Sequence, residues 1–189
     1  MKIETLKVMI NDRFLQGEID KKLRELTLTH NLPDGKEIIE WLQSIFTAHI
    51  IKQHKDDLHF LKTLAAQKTY PEMIDIIKNT KNTMEIEYDE LKNKVNKTTT
   101  GNQILAMFRK QDKRILINSI ICHPVMTFIE VITLTDNMIR QLRALYLCGE
   151  LSKAEFYRSR KRVLKQYATV RRRLIEKRKE NNELIQKYK

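Results

Sequence analysis

Twice along this chain the spacing of apolar residues shifts from helical to alternating, and these two short segments limit the fold more than any other feature. In the first, Leu6, Val8 and Ile10 alternate with Thr5, Lys7 and Met9, the pattern of a half-buried strand. In the second, Lys113-Arg114-Ile115-Leu116-Ile117-Asn118-Ser119-Ile120-Ile121 is rich in β-branched residues and too short and polar-flanked for a preferred helix. Almost everything else carries helical spacing, and only 4 Gly and 3 Pro punctuate 189 residues, so the chain reads as mostly α.

The helices can be placed from their caps and stripes. Asp12 can cap a first helix bearing Phe14, Leu15, Ile19, Leu23 and Leu26, which ends in a loop at Asn31-Leu32-Pro33-Asp34-Gly35. Apolar residues from Ile38 to Leu64 predict one central helix over Lys36 to about Ala66, with Asp56-Asp57 as a solvated patch on it. Pro71 suits the first turn of the next helix, whose residues Ile74, Ile77, Lys81, Met84, Tyr88, Leu91 and Val95 follow a 3,4 heptad spacing. That stripe fits either a dimer seam or packing within the chain. Lys97-Thr98-Thr99-Thr100-Gly101 marks the end of this helix, a short amphipathic piece spans Ile104 to Phe108, and a turn follows near Gln111. Pro124 opens a helix through Leu147, and Ser152 with Glu155 has the capping-box spacing at the start of the last one. These last two helices should form an antiparallel hairpin.

A strand followed by two helices thus occurs twice, which is the element order of a ribbon-helix-helix unit. The expected architecture is one elongated domain over residues 1–189 with a short two-stranded ribbon, 1–110 holding a strand and helical hairpin and 111–189 a strand, a helix and a basic helix. Such a ribbon is normally built between two copies; the alternative is a hairpin paired within one chain as a cover for the core. A two-stranded ribbon fits the major groove, where alternate outward side chains reach base edges. The outward candidates are Thr5 and Lys7 on the first strand and Arg114 and Asn118 on the second, with Ile115 and Ile117 turned to the core. Arg can grip guanine and Asn adenine, each through two hydrogen bonds.

Charge supplies the second pointer to nucleic acid. Between Glu150 and Lys189 fourteen Lys and Arg face five Glu, leaving +9 of the chain's +12 net charge in that segment. Arg158, Arg160, Lys161, Arg162, Lys165, Arg171, Arg172 and Arg173 lie on the same predicted helix as an apolar stripe of Phe156, Val163, Tyr167, Val170 and Leu174. Five or six of these cations on phosphates would make log K fall with log salt at a slope of about −5. A solvated helix face is the alternative reading. Tyr157, Tyr167 and Tyr188 are expected to pack rather than to stack on bases.

Enzymatic chemistry has no foothold in the pattern. Glycines 17, 35, 101 and 149 stand singly, so no phosphate-cradling loop forms. Successive positions among His49, His54 and His59 rotate about 140° around a helix, which prevents a shared zinc site. Cys122 and His123 point in opposite directions at a strand end, and Cys122 and Cys148 suit reduced, buried thiols. We expect no catalytic residue, metal or cofactor. The amino-terminal residues lack a secretory signal and no run approaches the ~20 apolar residues that cross a bilayer, so a cytoplasmic chain without membrane contact is expected.

Three ordered stretches resemble the AcaB family of regulators from conjugative plasmids and integrating conjugative elements. They are Thr5-Leu6-Lys7-Val8-Met9-Ile10 with Phe14-Leu15-Gln16-Gly17; Leu32-Pro33 through Ile38-Ile39-Glu40-Trp41-Leu42 to Asp56-Asp57-Leu58-His59-Phe60-Leu61; and a strand ending at His123-Pro124. The third continues through a helix holding Asp136 to Gly149-Glu150-Leu151-Ser152-Lys153-Ala154-Glu155 and a helix with Arg160 and Arg171-Arg172-Arg173. The family usually has Asn at the place of His123. The resemblance implies a dimeric, ribbon-helix-helix-like protein that binds double-stranded DNA and controls transcription of transfer genes on a mobile element, with RNA polymerase as a candidate partner. The competing expectation is a non-enzymatic helical accessory protein of conjugation or secretion, whose basic helix binds an acidic partner or DNA without specificity.

Overall fold

Strand β1, Ile3–Ile10, and strand β2, Lys113–Ile120, pair antiparallel within the one chain, Ile3 opposite Ile120 and Ile10 opposite Lys113. The ribbon is therefore complete without a second copy, which decides between the two pairings open to the sequence. The computed structural model describes residues 2–23, 32–51, 56–109 and 112–187. Around the ribbon stand helices α1 (Arg13–Ile19), α2 (Gly35–Ile50), α3 (Asp57–Asn96), α4 (Gly101–Arg109), α5 (His123–Leu147) and α6 (Lys153–Lys187), with a 3-10 turn at Lys21–Leu23.

Local chemistry explains most of the boundaries. Asp12 caps α1 by accepting from the Leu15 N–H (3.0 Å). Asp34 caps α2 in a full capping box: its carboxylate accepts from the Glu37 N–H (2.9 Å) while the Glu37 carboxylate accepts from the Asp34 N–H (2.9 Å). The Ser152 and Glu155 pair caps α6 in the same reciprocal way. Gly35 is required by space, because a Cβ there would lie 3.0 Å from the Ile19 Cα and 3.2 Å from the Tyr167 hydroxyl. Gly149, with φ of 80°, supplies the left-handed turn between α5 and α6.

Four expectations are corrected. The central helix predicted from Lys36 to Ala66 is two helices: α2 stops at Ile50, where Ile51 turns extended (ψ 127°), and α3 starts at Asp57. Asp56 is not a patch on a helix but the cap of α3, accepting from the His59 N–H (2.7 Å). Pro71 does not open a helix; it lies inside the 40-residue α3, which spans about 60 Å at the usual helical rise. The first helix is shorter than predicted, with Leu23 in the 3-10 turn, and Phe14 on it is exposed; Leu26, Asn31 and the turn near Gln111 lie outside the described residues.

One hydrophobic core joins the two halves of the sequence, so neither half is a separate unit. The heptad stripe of α3 packs inside the chain, with Ile74, Ile77, Met84 and Val95 buried, and α3 lies along α5 and α6. Lys81, at a core-type position, is satisfied by Glu130 of α5 (2.8 Å); that hydrogen bond raises the Lys81 pKa above its ordinary value. From α5, Phe128, Val131, Ile132 and Ile139 fill the centre, and from α6 Val163, Tyr167, Val170 and Leu174 complete it. Each such fully buried side chain contributes roughly 1.5–3 kcal/mol. A smaller cluster of Val95, Phe108, Ala144 and Leu145 fastens α4 and the end of α3 to α5.

Candidate nucleic-acid interface

Alternation sorts the ribbon into two faces. Leu6, Val8, Ile115, Ile117 and Ser119 turn inward, whereas Thr5, Lys7, Met9, Arg114, Leu116 and Asn118 are exposed on the outer face. On that outer face Thr5 stands opposite Asn118, Lys7 opposite Leu116 and Met9 opposite Arg114. All four sequence-predicted ribbon residues thus share one surface. The Thr5 hydroxyl donates to the Asn118 side-chain oxygen (2.9 Å), fixing the amide plane while leaving a second lone pair on that oxygen and both amide N–H groups available. An approximate two-fold axis through the Leu6–Ile117 pair relates Thr5 to Leu116 and Lys7 to Asn118, so the outward residues it exchanges are unlike.

Both ends of the ribbon are anchored to helices. At one end the Gln43 side-chain oxygen, from α2, accepts from the Ser119 hydroxyl (3.0 Å) and the Ile120 N–H (3.1 Å). At the other, buried Asp136 of α5 accepts through Oδ1 from the backbone N–H groups of Asn11 (3.0 Å) and Asp12 (2.8 Å). Its Oδ2 takes the Arg140 Nε (2.6 Å), and Arg140 also reaches Asp112, the residue before β2 (3.0 Å). Arg143 donates to the Asn11 side-chain oxygen (2.8 Å) and lies over the Phe108 ring (5.4 Å). Periodicity alone had not singled out Asp136, Arg140 and Arg143 as a clamp. The one local signal was the i, i+4 acid–base spacing of Asp136 and Arg140.

The basic residues of α6 divide into two groups. Arg160 is committed to the fold: its guanidinium makes a forked contact with buried Asp12 (Nε 3.0 Å, Nη2 2.8 Å), the same carboxylate that caps α1. Arg171 is buried, paired with Glu18 and set over the Tyr167 ring (5.9 Å). Both are held by carboxylates of the chain, which sets them apart from the other basic residues given the same role by the sequence. Arg158, Lys161, Arg162, Lys165, Arg172 and Arg173 are exposed. At 100° per residue these six fall within about 60° of one line, a cationic stripe roughly 22 Å long. Its intrachain contacts are weak, Arg162 with Glu87 at 3.4 Å and Arg172 with Glu176 at 3.8 Å. Surface pairs of that kind contribute at most about 1 kcal/mol and leave the cations able to exchange partners.

The stripe does not rest on the ribbon. Helix α6 packs on α3, α5 and α2, and the Asp12–Arg160 bond is where it is tied to the end of β1. Tyr167 is a core residue, Tyr157 is exposed, and Tyr188 lies outside the described residues. Cys122 is buried at the start of α5, where burial pushes its thiol pKa up, while His123 faces solvent. Both described cysteines are free. His49 and His59 belong to different helices, and among the described residues no group of three or more His, Cys, Asp or Glu could hold a metal ion. Nor, among them, is any helix long and apolar enough to cross a membrane. Compared with family models, curated proteins and solved structures, the chain finds no match.

Proposed function

We propose that this chain is a sequence-specific double-stranded-DNA-binding protein that lays the outer face of its ribbon in the major groove. The observation that carries the reading is the gathering of Thr5, Lys7, Arg114 and Asn118 on one exposed face of a ribbon anchored at both ends. Two strands about 5 Å apart, with their side chains, fit a groove roughly 12 Å wide, and eight residues per strand span about 27 Å. Arg114 suits guanine, Asn118 adenine, and the exposed Leu116 and Met9 suit thymine methyl groups. Because the ribbon's axis relates unlike residues, one chain reads a site without palindromic symmetry; the homodimer implied by the family resemblance would carry two such ribbons. The exposed stripe of α6, which does not adjoin the ribbon, adds positive charge that attracts duplex without base preference. The biological setting we attach to this, control of transfer genes on a mobile element, follows from the ordered motifs that resemble AcaB-type regulators.

Selection of a binding site from random duplexes tests the proposal. A preferred site bound at least ~10³-fold more tightly than scrambled duplex at physiological salt supports it. Equal affinity for all duplexes removes base reading and leaves the second reading, an accessory protein that docks a protein partner. That alternative is favoured by one observation: Ile3, Met9 and Leu116 place apolar surface among the polar residues of the ribbon face.

A further inference from the structure

Away from the outer ribbon face, a cleft of about 1000 Å³ opens between the Asn11–Asp12 end of the ribbon and the turn joining α5 to α6. Two properties coincide in it. It is cationic: Arg13, Lys113, Arg143 and Arg160 line it against the single carboxylate of Asp12, which is already engaged by Arg160 and the Leu15 N–H. It is also aromatic. Tyr146 stacks on Phe156 (5.3 Å, 23°), and Phe156 meets the edge-on ring of Tyr157 at 5.3 Å. Tyr157 is 56% exposed, so one inner contact fixes a ring that remains open to solvent. Exposed Leu147 adds apolar wall beside it.

A purely anionic ligand would use the cations and waste the rings; an apolar one would strand the cations. We propose that this cleft binds a nucleotide, with its base on Tyr157 and its phosphate on Lys113 and the guanidinium of Arg143. Lys113 is exposed and has no carboxylate partner among the described residues. Arg143 gives one terminal nitrogen to Asn11, and a guanidinium carries five N–H donors, so donors remain for an anion. The volume lies at the upper end of the usual range for small-ligand sites. Side chains here replace the glycine-rich loop that the sequence lacks. The inference is independent of groove reading, because neither Lys7 nor Arg114 lines the cleft.

The test uses the full chain, titrated by calorimetry with ADP, inorganic pyrophosphate and a single-stranded thymidine decamer. ADP is expected to bind more tightly than pyrophosphate. Tyr157→Leu should weaken ADP by about 5- to 150-fold, the range for loss of one base stack, and leave pyrophosphate unchanged. Lys113→Glu should weaken both. Both positions are exposed, so circular dichroism should show unaltered helix content in either variant. A decamer that binds more tightly than ADP, through Tyr157, assigns the nucleotide to a strand; ADP binding with no gain for the decamer assigns it to a free nucleotide. No binding of ADP or decamer, or equal losses for ADP and pyrophosphate in Tyr157→Leu, overturns the proposal. Lys7→Ala and Arg114→Ala should leave ADP affinity unchanged, which separates failure here from failure of duplex recognition.

Discussion

Replacing Asp136 by Ala should be strongly destabilising. Its carboxylate is 1% exposed, satisfies two backbone N–H groups at the end of β1 and neutralises Arg140. Truncation leaves both N–H groups buried without an acceptor, at about 1–3 kcal/mol each. Arg140 keeps Asp112, so the cationic loss is partial, and the combined cost should fall near 3–5 kcal/mol, the range for breaking a buried pair. Asp136→Asn retains an acceptor for the two N–H groups and should cost clearly less, about 1–3 kcal/mol, because its amide then faces a guanidinium. Urea unfolding of the three proteins measures this: the midpoint should move and the slope should not. Hydrogen exchange adds a local readout, with the Asn11 and Asp12 amides losing protection first in the Ala variant. A loss below 1 kcal/mol for Ala, or equal losses for Ala and Asn, would refute the view that backbone satisfaction dominates at this end of the ribbon.

Other outcomes follow from the same geometry. Arg160→Met strands the buried Asp12 carboxylate and should cost about 3–5 kcal/mol in denaturant titrations, whereas Arg172→Met should stay within about 0.5 kcal/mol of the parent. Arg172→Ala should instead weaken all duplexes alike and reduce the salt slope by about one, while Arg114→Ala should flatten sequence preference; gel-shift assays over a salt series read both. Gly35→Ala should destabilise by about 1–3 kcal/mol, since the backbone of Ile19 stands in the way, and thermal melting would show it. Glu37 is held below its ordinary pKa of 4.5 by the Lys21 ammonium and the Asp34 N–H. A depressed carboxylate stabilises the fold above its unfolded-state value and ceases to do so as pH falls through the lower folded value. Stability from this cap should therefore be flat above about pH 5.5 and decline below the unfolded-state value near 4.5, and Glu37→Gln should lose less on acidification than the parent.

What the residues revealed depended on whether the signal was local. Period-two alternation placed both strands and their faces, and side-chain oxygens at Asp12 and Ser152 marked helix starts, whereas the cap at Asp34 lay unmarked in what reads as a loop. The break between α2 and α3 was hidden because Ile50 and Ile51 extend the apolar pattern into it with no glycine or proline to interrupt. Pro71 misled for the opposite reason: α3 carries it in its interior, so a residue that usually starts helices sits mid-element. The fates of Arg160 and Arg171 were written in phase rather than composition. Arg160 is four residues after Phe156 and three before Val163, and Arg171 is four after Tyr167 and three before Leu174, so both share the core-facing stripe. Their acidic partners, 148 residues away at Asp12 and on α1 at Glu18, could not be paired by spacing.

A ribbon whose strands begin at Ile3 and Lys113 has a consequence for how the protein is made. Translation at about 5–20 residues per second delivers the second strand some 5–20 s after the first. Throughout that interval the segment Ile-Glu-Thr-Leu-Lys-Val-Met-Ile has left the ribosome with no neighbour to close its hydrogen bonds, a state that invites pairing with another nascent chain. Lys7 in the middle of that segment is a charge that discourages such pairing, so the residue assigned to the groove also guards the chain during synthesis.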